Sequence, residues 1–126
     1  MTENELSNRI IGAAIEVHKE LGGPGLLEDV YEECLCDELL LRGIFVGRQI
    51  PVPIVYKGKK LKKPLTLDVL VGDKVIVEAK AAKEHNPIFE VQLLTYLRLT
   101  GKKLGLVINF GEKRIADGIR RVVNGL

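Results

Sequence analysis

Three residues, Asp68, Glu78 and Lys80, have the types and spacing for metal-assisted phosphodiester chemistry. They lie in Leu67–Lys80, which reads as two apolar strands joined at Gly72-Asp73. Side chains alternate along a strand, so Glu78 and Lys80 project on the same side. Mg²⁺ prefers oxygen ligands, keeps several waters and usually takes one or two carboxylates from a protein. Asp68 and Glu78 can supply these, with the Ala79 backbone carbonyl as a third ligand. A metal held there lowers the pKa of a bound water and neutralises charge on a scissile phosphate. Lys80 is placed to orient that water or to stabilise the charge that develops.

The layout carries a geometric condition. A two-residue turn at Gly72-Asp73 sets Asp68 against Val77 and puts the acids on opposite sides. A three-residue turn or a bulge sets Val69 against Val77 and Asp68 against Glu78. Metal binding therefore requires an odd-length connection, in which Lys74 is a poor residue for a left-handed position. The competing account is an ordinary Asp68–Lys80 ion pair with Glu78 as an edge charge. Against it stands the context: these polar groups interrupt strands otherwise built of Leu, Val and Ile, and buried charge is costly unless paired or metal-bound.

The elements that must position these residues follow from hydrophobic spacing. Residues 3–21 form a first helix, opened by a Thr2/Glu5 capping box, with Leu6, Ile10, Ala13, Ala14, Val17 and Leu21 on one face. His18 lies off that stripe as an ordinary surface or boundary histidine. Gly22-Gly23-Pro24-Gly25 breaks the helix, and a second runs to about Arg42 with Gly43 as its stop. Its expected core side is Leu27, Val30, Tyr31, Cys34, Leu35 and Leu39. Glu28, Asp29, Glu32 and Glu33 suit the helix N-terminal dipole. Of these, Glu28 alone borders the buried face and is placed to look inward.

Residues 44–50 and 52–57 read as short extended segments separated by Pro51. Pro53 marks the second as an edge strand or an irregular start. Between Lys57 and Lys63 stand five lysines in seven residues. Lys59, Lys60, Lys62 and Lys63 form either a solvated hairpin tip or, beside a metal site, a holder for a phosphate backbone. After Lys80, Asn86 caps a third helix that starts at Pro87 and runs to about Leu99. That helix is apolar nearly all round and should be buried against the sheet. Gln92 and Tyr96 share a face of it. Leu104–Phe110 is a continuous apolar run, as in a central strand, so a βαβ unit joins the Glu78 strand to the Leu106 strand in parallel. The tail, 113–123, leans towards a strand.

The chain has 126 residues, 46% hydrophobic and 29% charged, with a formal net charge of +2. These values suit one folded domain spanning 1–126 and argue against disorder. The small net charge permits nucleic-acid binding only through clustered basic groups. No leader or membrane-length apolar run is apparent, so no membrane partner and a cytoplasmic location are expected. Cys34 and Cys36 point to different sides of their helix and read as free thiols.

As a set, these motifs resemble a known group. D…ExK on a hairpin followed by Gln92-Leu-Leu-Thr-Tyr96 on a helix resembles the PD-(D/E)XK nuclease superfamily. Gly25-Leu-Leu-Glu28-Asp-Val-Tyr31 resembles the signature of its small GxxExxY proteins. Ile11–Gly22, Val77-Glu-Ala-Lys80 and Leu106–Phe110 also look like theirs. The resemblance implies an α/β, restriction-endonuclease-like three-layer core, a mixed central β-sheet flanked by helices. It implies Asp68 and Glu78 as metal ligands, Lys80 as the catalytic lysine, Glu28 as an acid from an early helix, and Gln92 and Tyr96 as groups positioning phosphate or water. The expected function is a Mg²⁺-dependent nuclease (Mn²⁺ as a substitute) acting on nucleic acid, with DNA the expected partner and a homodimer an option. The alternatives are a degenerate nuclease that only binds nucleic acid, or a protein-interaction module on the same fold.

Overall fold

The computed structural model describes residues 1–126. Helix α1, Glu3–Glu20, opens with the expected capping box: the Glu5 amide donates to Thr2 Oγ1, and the Thr2 amide to Glu5 Oε1. Helix α2, Glu28–Leu41, follows the glycine break. Strand β1 spans Val46–Val52, and a small hairpin, β2 (Val55–Tyr56) and β3 (Lys59–Lys60), leads to β4 at Leu65–Val71. Strand β5, Val75–Lys80, is followed by helix α3, Ile88–Thr100, strand β6, Leu104–Asn109, and strand β7, Ile119–Val123.

The main sheet has the order β1-β4-β5-β6-β7. β5 and β6 are parallel across α3, and the other neighbours are antiparallel. This is an α/β, restriction-endonuclease-like fold: α1 and α2 cover one face of a mixed sheet and α3 the other. The larger core joins Ile10, Tyr31, Leu35 and Leu39 to Val69, Val71, Val77 and Leu106. The smaller core sets Leu93 and Leu97 of α3 against Leu67, Ile76 and Val107.

Several expectations change. β1 does not stop at Pro51 but runs through it, paired with Thr66; as the sheet's edge strand it tolerates a missing N–H. The buried stripe of α2 is Tyr31, Glu32, Leu35, Cys36 and Leu39, whereas Leu27 and Val30 are exposed. Helix α3 is not buried all round. Leu93 and Leu97 are fully buried, but Ile88, Val91 and Leu99 face outward, because one helix on that face has nothing packed over its outer side. His18 is buried, with Nε2 2.9 Å from the Glu112 carbonyl oxygen. No helix is long and apolar enough to cross a membrane.

Candidate active site

The β4–β5 connection is Gly72-Asp73-Lys74, three residues long. Its left-handed positions are Gly72 and Asp73, both at φ 57°, so Lys74 is spared the strained conformation expected of it. Gly72 is needed twice over: its φ is positive, and a Cβ there would lie 2.9 Å from Leu6 Cδ1. The ladder pairs Val71 with Val75 and Val69 with Val77. The ladder ends there, and Asp68 and Glu78 are the first residues beyond it on each strand.

Asp68 sits where β4 changes face. Val69 and Val71 belong to the larger core, whereas Leu67 belongs to the smaller one on the other side of the sheet. Residues two apart on a regular strand share a face, so the alternation breaks at Asp68. The partner strand breaks with it. Gln49 has φ 53°, and the β1–β4 ladder skips the Gln49–Asp68 pair. The Asp68 side chain turns into the opening between β4 and β5, where Oδ2 accepts the Ala79 amide at 3.2 Å.

Glu78 is 5% exposed, and its Oε1 is buried without a hydrogen-bond partner. Burial, then a hydrogen bond and charge repulsion from Asp68, push its pKa up to about 9, while Lys80 acts in the opposite direction. An unpartnered buried carboxylate oxygen beside a second carboxylate is costly unless a cation or proton compensates it. The donor set fits a hard divalent ion: two carboxylates, with an adjacent backbone carbonyl on Ala79. No cluster of three or more His, Cys, Asp or Glu side chains shaped for a metal is present, so the set is two carboxylates rather than three.

Lys80 projects on the α3 side of β5, its Nζ 4.8 Å from the centroid of the Phe89 ring. The strand end carrying it is tied to β6. The Phe110 amide donates to the Lys80 carbonyl at 2.8 Å. Asn109, 1% exposed, accepts the amides of Ala82 and Gly111 on Oδ1 and donates from Nδ2 to the Ala82 carbonyl.

Glu28 is exposed as a residue, yet its carboxyl reaches the site from the opposite side of the sheet. Its pKa is raised by partial burial, lowered by Lys80, and raised by Asp68 and Glu32. Tyr96 approaches from α3: its phenol pKa is raised by burial and then by the charges of Glu78 and Asp68. Asp68 is thus felt from both layers. Gln92 is exposed one turn before Tyr96, with no hydrogen bond to any of these groups. Lys59, Lys60, Lys62 and Lys63 are all exposed on or after the β2–β3 hairpin.

Sequence reasoning missed two supports. Glu32, given only a helix-dipole role by the sequence while Glu28 alone was set on the buried face, is 4% exposed and accepts from Arg48 Nε at 2.9 Å and Gln49 Nε2 at 2.7 Å. The correction is physical: the buried stripe of α2 turns Glu32 towards β1, where Arg48 neutralises it. Tyr31 holds the loop before α2. Its hydroxyl donates to the Gly23 carbonyl at 2.7 Å and accepts the Leu26 amide at 3.2 Å. Its ring stacks on Phe110, 4.8 Å between centroids. The i,i+3 spacing of Glu28 and Tyr31 was the available signal for that support.

A three-layer α/β core with two carboxylates and a lysine at the opened end of a central hairpin defines a nuclease-like class of protein. The family model described as the PD-(D/E)XK nuclease superfamily matches residues 4–122, and the chain belongs to that superfamily. No curated protein and no solved structure matches the chain.

Proposed function

We propose that this chain hydrolyses phosphodiester bonds in DNA and depends on a divalent ion, Mg²⁺ or Mn²⁺. The observation that carries the reading is the buried, unpartnered Oε1 of Glu78 beside Asp68, in a chain that belongs to a nuclease superfamily. Asp68, Glu78 and the Ala79 carbonyl would hold the ion, which when bound supplies a Lewis acid for water activation and for charge on the phosphate. Lys80, held over Phe89, donates to the attacking water or to the phosphoryl oxygen as negative charge develops there. Glu28, with its raised pKa, accepts a proton or a water hydrogen bond from the α2 side. Tyr96 and Gln92 orient phosphate or water from α3. Lys59, Lys60, Lys62 and Lys63 draw the nucleic-acid backbone towards this end of the sheet. The Gly25…Glu28…Tyr31 segment supports placement with the GxxExxY proteins it resembles.

The test is cleavage of plasmid and single-stranded DNA with Mg²⁺ or Mn²⁺, paired with calorimetric metal titration. Metal-dependent cleavage that disappears in Asp68→Ala and Lys80→Ala, with metal binding lost in Glu78→Ala, supports the reading. Identical titrations for wild type and Glu78→Ala would sink it.

A further inference from the structure

The β2–β3 hairpin carries more than charge. It turns tightly through Lys57 (φ 48°) and Gly58 (φ 79°), and the Leu61 amide closes its base on the Ile54 carbonyl at 2.8 Å. Val55 and Tyr56 are each 62% exposed on it. Tyr56 pairs across the hairpin with Lys59, and the Lys57 ammonium stands 5.5 Å from the Tyr56 ring centroid. At the hairpin's root is a cavity of about 300 Å³ lined by Pro51, Pro53, Lys60, Leu61, Lys62 and Pro64. It is an open groove whose lining, all of it exposed, is three prolines, one leucine and two lysines, with no acid.

The hairpin stands at the reactive end of the sheet. It leaves β1 at Val52 and enters β4 at Leu65, and β4 runs antiparallel to β5. The Leu65 end of β4 and the Lys80 end of β5 therefore coincide. Leu65 is three residues before Asp68, a span of about 10 Å along a strand, so the root of the hairpin stands close to the Asp68–Glu78 pair.

Resting on the nuclease reading above, we propose that the hairpin and the proline-lined groove at its root bind unpaired nucleotides, so that the substrate is DNA with a single-stranded segment at the cleavage site. Phosphate contact needs only the lysines. An exposed tyrosine, an exposed valine and a proline-lined groove at the hairpin's root gain nothing from a continuous duplex, whose base faces are already stacked. A splayed base can stack on Tyr56 or enter the groove while Lys60 and Lys62 hold the flanking phosphates. This pairing of an aromatic platform with a cationic track is how single strands are bound without sequence readout.

The test is fluorescence anisotropy with chelator present, so that nothing is cut. The probes are a short labelled single strand, the blunt duplex of the same sequence, and that duplex with a single-stranded overhang. The single strand and the overhang should bind about tenfold tighter than the blunt duplex. Tyr56→Ala should weaken single-strand binding about five- to tenfold, leave blunt-duplex binding unchanged, and be rescued by Tyr56→Phe. The Lys60→Ala/Lys62→Ala pair should weaken every probe and flatten the salt dependence of single-strand binding by about 1.4 in log–log slope. Equal affinity for single strand and blunt duplex, or equal losses on both in Tyr56→Ala, overturns this inference and leaves the nuclease reading standing. Failure to bind any of the three probes also overturns this inference, and the nuclease reading falls only if metal-dependent cleavage is absent as well.

Discussion

The Gln49 side-chain amide donates to Glu32 Oε1 at 2.7 Å, the same oxygen that accepts Arg48 Nε at 2.9 Å. Consecutive strand residues ordinarily point to opposite faces. Arg48 and Gln49 reach one carboxylate because Gln49 adopts a left-handed backbone, φ 53°. Across the strand pair lies Asp68, the position at which β4 changes face. A buried acid on α2 thereby holds the kink that turns Asp68 towards Ala79 and Glu78.

Removing that acid should act at a distance. Glu32→Ala removes the buried acceptor shared by the exposed Arg48 and Gln49 and should destabilise the fold by about 1 kcal/mol. It should also weaken Mn²⁺ binding at Asp68 and Glu78 by roughly tenfold, the scale of lost outer-shell support. Gln49→Gly relieves the left-handed strain and should keep stability within about 1 kcal/mol while still weakening the metal site. Denaturant titration and calorimetry on both variants check this. Unchanged Mn²⁺ affinity in both would remove Glu32 from the positioning of Asp68.

Metal-free stability should fall as pH rises. The Glu78 carboxyl, ordinarily near 4.5, is pushed up to about 9 by burial and by Asp68. Between those values the folded protein holds a proton that the unfolded chain has released, so raising the pH favours unfolding. The group's contribution to stability is complete below about 4.5 and is lost as pH passes through about 9. Glu78→Gln removes this slope and should be more stable than wild type by on the order of 2 kcal/mol near pH 9. A divalent ion favours the ionised carboxylate, so saturating Mn²⁺ should raise the melting temperature of wild type but not of Glu78→Gln. Denaturation curves at acid, neutral and alkaline pH, with and without chelator, give the answer. Parallel pH profiles for the two proteins would contradict it.

These two cases divide what the sequence told from what it could not. The register of Val69 against Val77 follows from the length of one turn, and the Thr2–Glu5 box and the βαβ unit are likewise local patterns. The face change at Asp68 lies across from Gln49, whose side chain is held by Glu32 from another layer, and no spacing rule reports a contact across seventeen residues. Glu32 itself looked like its acidic neighbours because its partner, Arg48, is supplied by the fold. The outward Ile88, Val91 and Leu99 of α3 escaped notice for a related reason. Apolar composition shows that a helix can be buried, not whether a second layer exists to cover it.

The junction between β6 and the site should tolerate no side chain at Gly111. A Cβ there would meet the Ala82 carbonyl oxygen at 2.2 Å, and that backbone is held in place by Asn109. Gly111→Ala must push the Ala81-Ala82 segment away from β6, costing about 1–3 kcal/mol as an overpacked contact does. Because Lys80 immediately precedes that segment, cleavage should fall in step with the displacement. Thermal melts and cleavage rates on the same preparations test both halves. Wild-type stability would show that the loop yields freely.

The tether at Tyr31 separates support from chemistry. Tyr31→Phe keeps the ring stacked on Phe110 and removes only the hydroxyl that joins the Gly23 carbonyl to the Leu26 amide. The stability cost should be about 1–3 kcal/mol, the net worth of two ordinary hydrogen bonds. The loop it releases leads directly into the first turn of α2, where Glu28 stands. If Glu28 acts from that turn, Tyr31→Phe should lower the cleavage rate several-fold with little effect on substrate affinity, and Glu28→Gln should lower it further. In the double variant Tyr31→Phe/Glu28→Gln, the loss should match that of Glu28→Gln alone, because the tether serves only to place that carboxyl. Additive losses in the double variant would mean that the loop supports the site through some other residue.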